Sequence, residues 1–426
     1  MTTLYNNFKG LPFRPADILL PRDCDLSLWS VVACDQYTSR PEYWQRVEER
    51  VGRAPSSLRL ILPESCLEGP SVETDIMEIN NTMSRYLREG RFQEYPDALI
   101  YVERTLDSGK IRRGLMGAVD LEQYDYESGA VSAVRATEGT VMSRIPPRVA
   151  VRKNAPVELP HVMLLVDDPH RMILEPLSAR TGEMECLYDF DLMEKGGHIR
   201  GWLLTREMQD QVLQALNTRR VQVKQDLDGL LFAVGDGNHS LAAAKECYER
   251  RKGLTDESQW PDLPSRYALC ELVNLHDEGV EFESIHRVVF GVKPEELLDA
   301  LLNYYPSAVQ GRGEGHVIPF VINRWSRGEI TVTDPEARLP AGTLQNFLDS
   351  YLAAHSRVRV DYIHGREEAE QLAEEREDAV AFLLPAIDKN ELFSTIIHDG
   401  VLPRKTFSMG EAHDKRFYLE ARKIRR

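Results

Sequence analysis

The sequence predicts a two-domain protein of the α/β class, built of mixed sheets packed with helices. Three observations carry that expectation. Short apolar runs of strand length, such as 229–234 (GLLFAV) and 379–384 (AVAFLL), alternate with longer segments whose apolar residues recur every three or four positions. The 426 residues exceed the ~100–200 of a usual single domain. Composition is that of a folded chain, with 42% apolar and 28% charged residues, so neither disorder nor a disulfide-stapled miniature scaffold fits.

Taken in order, the first helix is expected to start at Ser39-Arg40-Pro41 and to carry Tyr43, Val47 and Val51 on one side, because proline is tolerated in a first turn. Leu58, Leu60 and Leu62 alternate, which predicts a half-buried strand. Strands are expected in ALIYVERTL and GLMGAVDL, followed by a turn-rich stretch that holds VRATEGTV and Pro146-Pro147. The run VMLLV (162–166) reads as a buried strand. From Thr205 to about Gln225, Met208, Val212 and Leu216 recur at helical spacing behind a threonine able to cap. GLLFAV then leads directly into GDGNHSLAAAKECYERRKG, where Leu241, Ala244 and Tyr248 mark a helix face and Gly253 stands at its end. Past a change of composition near Gly291 comes a second α/β unit: a helix in KPEELLDALLNYY, a strand in VRVDYIHG, a polar helix in REEAEQLAEER, a strand in AVAFLLP and a helix in KNELFSTIIHDG. The expected domains are therefore 1–290, carrying the GDGNHS loop, and 291–426, ending in a basic tail of Lys415, Arg416, Arg422, Lys423, Arg425 and Arg426.

Charge narrows the partners. With 52 Lys+Arg against 68 Asp+Glu, the net charge of −16 opposes a nucleic-acid backbone. No apolar run nears the ~20 residues of a membrane-spanning helix. The N-terminal stretch lacks the charged start, apolar centre and small-residue cleavage site of a signal peptide, so a cytoplasmic location is expected. Six scattered cysteines form no CxxC pair and sit beside no histidine pair, which predicts free thiols and no zinc site.

The chemistry concentrates in Gly235-Asp236-Gly237-Asn238-His239-Ser240. A strand that ends in two glycines and opens onto a helix lets backbone approach a ligand while the first helical N–H groups point at it, a geometry suited to phosphate. Asp236 could hold a metal ion or take a hydroxyl proton, His239 could move a proton or pair with phosphate, and Asn238 and Ser240 could donate hydrogen bonds. The alternative is a plain turn in which Asp236 or Asn238 caps the helix. Asp35, in ACDQYT, and Glu138, in ATEGT, are candidate general bases, with surface capping or ion pairing as their alternative; Cys34 reads as a structural thiol. Asp167 and Asp168 follow the VMLLV run and could hold Mg²⁺ or form an ordinary Asp-Asp-Pro turn. No HxH or HxxxH spacing supports a zinc hydrolase.

GDGNHSLAAAK resembles the Asp-Gly-His-His-Arg hallmark of the bacterial family catalogued as domain of unknown function 1015. Further matching stretches are ACDQYTSRPEYW, LRLILPE, VRATEGT, ELPHVMLLVDDP, SIHRVVF, YIHG and GVLPRKTFSMGEA, so the resemblance runs over nearly the whole chain. The hallmark loop is in turn similar to the phosphate-contacting loop of the ParB/sulfiredoxin-like superfamily, which includes nucleotide-hydrolysing partition proteins, sulfiredoxins and kinases of free serine. The resemblance implies a ParB/sulfiredoxin-like phosphate-loop core followed by the C-terminal α/β unit. It also implies a small-molecule phosphotransferase that takes a phosphoryl group from a nucleotide or pyrophosphate, with free serine as the implied acceptor; Mg²⁺ is the expected cofactor, since such transfer asks for charge neutralisation. The alternative is a nucleotide- or phosphate-binding regulatory or adaptor protein without turnover. Here Asn238 stands where the family has its first histidine and Ser240 where an arginine usually follows the second, and a hydroxyl does not reproduce a bidentate fork. Arg404, Lys405, Arg135, Arg144 and Arg287 are candidate replacements, each with a structural alternative.

Overall fold

The computed structural model describes residues 8, 10–38, 40–67 and 69–425; Ser39 and Arg426 lie outside them. The chain is a mixed α/β protein that divides into two compact units, Met1–Val280 with Gly410–Arg426, and Glu281–Met409. The division differs from the expected 290/291 boundary in two ways. Strand Phe282–Phe290 belongs with the second unit, because its hydrogen bonds go to Arg359–His364, Ala379–Phe382 and Phe407–Met409. The last residues return to the first unit, where Phe417–Tyr418 pairs with Val31–Val32 and Arg422–Lys423 with Val157–Glu158. The expected solvated basic tail is thus corrected: Lys415, Arg416 and Arg422 are buried.

The first unit is organised on a ten-stranded sheet. Its path runs Glu185–Asp191, His198–Leu203, Ile100–Thr105, Ile111–Asp120, Tyr267–Asn274, Met163–Val166, Phe232–Asp236, Val134–Ala136, Tyr124–Asp125, with Phe13–Arg14 beside Ile111–Asp120. Both faces are covered, and the period of two shows it. Tyr101 and Leu115 enter one core with Phe13, Leu216, Phe232, Leu241 and Tyr248. Their neighbours Ile100, Val102 and Met116 enter the other with Trp29, Leu269 and Phe417. Helix Arg206–Asp226, whose capping Thr205 accepts from the Met208 N–H, buries Met208, Val212 and Leu216 in the first core. Met163–Val166 runs antiparallel to Phe232–Asp236, which runs parallel to Val134–Ala136. One sheet edge therefore collects the start of the first strand and the ends of the other two.

Beneath this edge lies a buried ionic network. Arg416 pairs with Glu271 and Glu420, and Glu420 also accepts the Tyr188 hydroxyl. Gly114 makes room for it, since a Cβ there would lie 2.1 Å from a Glu271 carboxylate oxygen.

Two local expectations change. Leu58 to Leu62 is not a strand, because Ser56 accepts from the Leu58 N–H and donates to the Trp29 carbonyl, holding a short turn of helix at Ser57–Leu60. Pro146-Pro147 stands in the first turn of helix Ile145–Arg152, where missing N–H groups cost nothing.

The second unit has its own sheet, in the order Ala308–Gln310, Ser326–Val332, His316–Asn323, Ala379–Phe382, Phe282–Phe290, Arg359–His364. Leu297 and Leu301 of helix Pro294–Tyr304 and Leu344 and Leu348 of helix Pro340–Ala354 fill one core. Ala369 and Ala373 of helix Arg366–Glu374 fill another. Among the described residues no helix is long and apolar enough to cross a membrane.

Candidate functional site

The GDGNHS loop leaves the sheet at the edge just described. Gly235 and Asp236 close strand Phe232–Asp236, and Gly237 precedes helix Asn238–Lys252 with φ of 79°. A Cβ on Gly237 would sit 3.1 Å from the Val162 Cα and Cγ2, so both conformation and space call for glycine. The capping alternative is not what the structure holds. One Asp236 oxygen accepts from the Gly237 N–H at 2.8 Å, and the other lies 3.3 Å from the Lys415 ammonium. Asn238, already helical, accepts from the Thr137 N–H at 3.2 Å and donates to the Thr137 hydroxyl at 3.1 Å. That clamp fixes the ATEGT turn, and with it the half-buried Glu138, beside the loop. His239 Nε2 accepts from the Val141 N–H at 3.2 Å, a positioning contact for the same turn.

Ser240 faces a different group. Its hydroxyl is 3.2 Å from Nε2 of His161, which enters the sheet two residues before Met163–Val166. His161 Nδ1 lies 2.7 Å from the Tyr418 hydroxyl, which donates to Cys34 Sγ at 3.0 Å and accepts from the Cys34 N–H at 3.2 Å. Asp35, 26% exposed, stands 3.9 Å from His161 Nε2. Burial pushes its carboxyl up, but the charge of His161, a hydrogen bond from Gln36, Lys415 and Arg148 outweigh that and hold it below the usual range. Asp35 is therefore ionised at neutral pH. Burial, with the Asp35 charge, pushes the Cys34 thiol up to about 12, which makes it a poor nucleophile.

His161, Ser240, Cys34 and Tyr418 border a cleft of about 910 Å³, counting its open mouth. Its other walls include the apolar Leu60, Leu62, Met83 and Leu241, and the charged Glu64 and Arg148, paired at 2.9 Å. Asp35, Asp236 and Ser240 thus come together with His161, Lys415, Tyr418 and Arg148, none of which the sequence singled out as a site residue, while His239 faces Val141 and Glu138 follows the clamped Thr137. His161 had one signal, a histidine directly before a buried strand. Lys415 had none, hidden in a basic run.

Other candidates lie elsewhere or serve the fold. Arg135 is buried and spends its donors on the Ser132 and Asp228 carbonyls at 2.9 and 2.8 Å. Arg144 lies 3.7 Å from Glu64. Arg287 belongs to the second unit, fully buried against the Ile285 carbonyl and the Tyr362 ring. Arg404, which donates to the Tyr362 hydroxyl at 3.2 Å, and Lys405 are exposed residues of that unit. Of the two readings of Asp167-Asp168, the carboxylates are spent within the fold, as the turn reading has it. Asp167 pairs with Arg219 at 3.0 Å and His276 at 2.7 Å, and Asp168 accepts the N–H groups of Met172 and Ile173 at 2.7 and 2.9 Å. No group of three or more His, Cys, Asp or Glu side chains able to hold a metal ion occurs among the described residues.

No curated protein matches the chain. Among solved structures, a free serine kinase in complex with AMP is similar at 11% identity, covering 71% of this chain and 93% of that one, with a TM-score of 0.38. A conserved hypothetical protein from Pyrococcus furiosus is similar at 12% identity over 71% and 90%, with a TM-score of 0.35. SbnI with a C-terminal truncation, from Staphylococcus aureus, is similar at 12% over 69% and 82%, with a TM-score of 0.36. The model of one family, described as protein of unknown function (DUF1015), matches residues 11–351, and the chain belongs to that family.

Proposed function

We propose that the first unit binds a phosphorylated small molecule at the start of helix Asn238–Lys252 and transfers its phosphoryl group to a small hydroxyl-bearing acceptor. The observation that carries this reading is the convergence of Lys415, Asp236 and Asp35 at a glycine-led helix N-terminus. The first N–H groups of a helix have no intrahelical acceptor and carry partial positive charge, which suits a phosphate oxygen. Lys415 adds a full charge in the place that the missing loop arginine would otherwise serve. Asp35, ionised, takes the acceptor's proton, while Asp236 holds the Lys415 ammonium in place. Phosphoryl transfer asks for this kind of positioning and charge neutralisation more than for covalent chemistry.

A nucleotide or pyrophosphate is the donor class. Free serine, the substrate named for the similar kinase, is the first acceptor to try. The test is a screen of ADP, ATP and pyrophosphate against small hydroxy and amino acids, with and without Mg²⁺, read by product mass. A phosphorylated product lost in Asp35→Asn and Lys415→Met supports the reading. Binding of a donor with no product from any acceptor replaces it with a regulatory nucleotide-binding role.

A further inference from the structure

The geometry points to a second activity, independent of phosphate: Ser240 is an acyl-accepting nucleophile with His161 as its base, acting on carboxylic esters whose acyl group is apolar. The Tyr418 hydroxyl lies 2.7 Å from His161 Nδ1, and the Ser240 hydroxyl lies 3.2 Å from Nε2. With the imidazole neutral and its Nδ1–H donating to the Tyr418 oxygen, the Nε2 lone pair faces the Ser240 hydroxyl. This is the arrangement in which imidazole can take a serine proton, with Tyr418 in the orienting place that a carboxylate often fills. The missing negative charge comes from Asp35, 3.9 Å from Nε2, where it stabilises the imidazolium as it forms.

The surroundings fit acyl transfer. Ser240 and His161 stand in the wall of the cleft, beside Leu60, Leu62, Met83, Val151, Leu241 and Leu269, which give an apolar acyl chain a dry berth. Ser240 lies in the first turn of its helix, where backbone N–H groups have no acceptor within the helix and point towards an oxyanion.

In the reaction, Ser240 Oγ forms a bond to the ester carbonyl carbon while its proton passes to His161 Nε2. The tetrahedral oxyanion collapses, the bond to the alkoxy oxygen breaks, and the leaving alcohol takes the proton from Nε2. Water, deprotonated in turn by His161, releases the carboxylic acid and restores Ser240, so the balance is ester plus water to acid plus alcohol.

Neither this activity nor the phosphate reading requires the other. The test treats the full chain with an alkyl fluorophosphonate and maps the adduct by mass, then measures hydrolysis of 4-nitrophenyl butyrate and octanoate. The wild type should carry one adduct, on Ser240, and hydrolyse the esters above buffer rate, octanoate at least as well as butyrate. His161→Gln should slow both by ~10²-fold or more and Ser240→Ala should abolish both. Ser240→Ala, a small change on a half-buried residue, keeps the test decisive where His161→Gln unfolds. No adduct on Ser240, or hydrolysis unchanged in Ser240→Ala, overturns the inference, and nucleotide or pyrophosphate binding measured on the same variant reports separately on the phosphate reading.

Discussion

Replacing Asp236 by asparagine separates charge from shape. Asparagine keeps an oxygen to accept the Gly237 N–H, so the turn survives, and what disappears is the charge 3.3 Å from the Lys415 ammonium. The two side chains are 16% and 9% exposed. At an effective dielectric near 20 that separation corresponds to ~5 kcal/mol of gross attraction, most of it offset by desolvation of both ions. The net loss should be about 1–3 kcal/mol, because Lys415 loses the carboxylate it pairs with. For a unit this large that lowers Tm by roughly 2–6 °C, at about 2 °C per kcal/mol. Removing both charges, Asp236→Asn with Lys415→Met, should recover part of the loss, giving a coupling of ~1–2 kcal/mol in a double-mutant cycle read by urea unfolding. Activity or ligand affinity should fall ~10²-fold in Asp236→Asn, since Lys415 would no longer be held at the helix start. A variant with wild-type Tm, additive double-mutant energetics and full ligand affinity would refute the ion pair as the organiser of the site.

Three further outcomes follow from the same geometry. Gly237→Ala forces a side chain into left-handed backbone against Val162 and should cost ~1–2 kcal/mol in thermal denaturation, with a larger fractional loss of ligand affinity. Burial pushes the Glu158 carboxyl up, but Arg152, Arg422 and the Leu269 N–H outweigh that and hold it below the usual range. Its folded value is therefore lower than its unfolded one, so it contributes stability above the ordinary carboxylate pKa that is lost as pH falls through the folded value; a Tm series from pH 7 to 3 should show a steeper acid limb in the wild type than in Glu158→Gln. Arg416→Met leaves Glu271 and Glu420 buried without their guanidinium and should cost ~3–5 kcal/mol, whereas the triple change with Glu271→Gln and Glu420→Gln should regain much of it, as measured by chemical denaturation.

Much of this was legible in the sequence where the signal is local. The helix behind Thr205, the strand GLLFAV and the helix after Gly237 follow from periodicity, caps and glycine, and they place the loop. The loop's inner wiring was not legible, because Asn238 and His239 act on Thr137 and Val141, about a hundred residues away, through contacts only the sheet order creates. The C-terminal segment misled for a physical reason: charge density reads as solvated surface, yet Arg416 and Arg422 are buried with carboxylates supplied by Glu271, Glu420 and Glu158. Arg135 and Arg287 misled in the same way, since an arginine beside a glycine turn or a histidine looks available until its carbonyl partners are known.

The central claim is that Lys415 and the start of helix Asn238–Lys252 form an anion site for phosphate. Titration calorimetry of the full chain with ADP, ATP and pyrophosphate, on the wild type and on Lys415→Met checked by Tm for folding, tests it most directly. Saturable binding of at least one of these to the wild type, weakened ~10-fold or more in a folded Lys415→Met, is the predicted result. No binding of any of the three, or equal affinity in the two proteins, would contradict it.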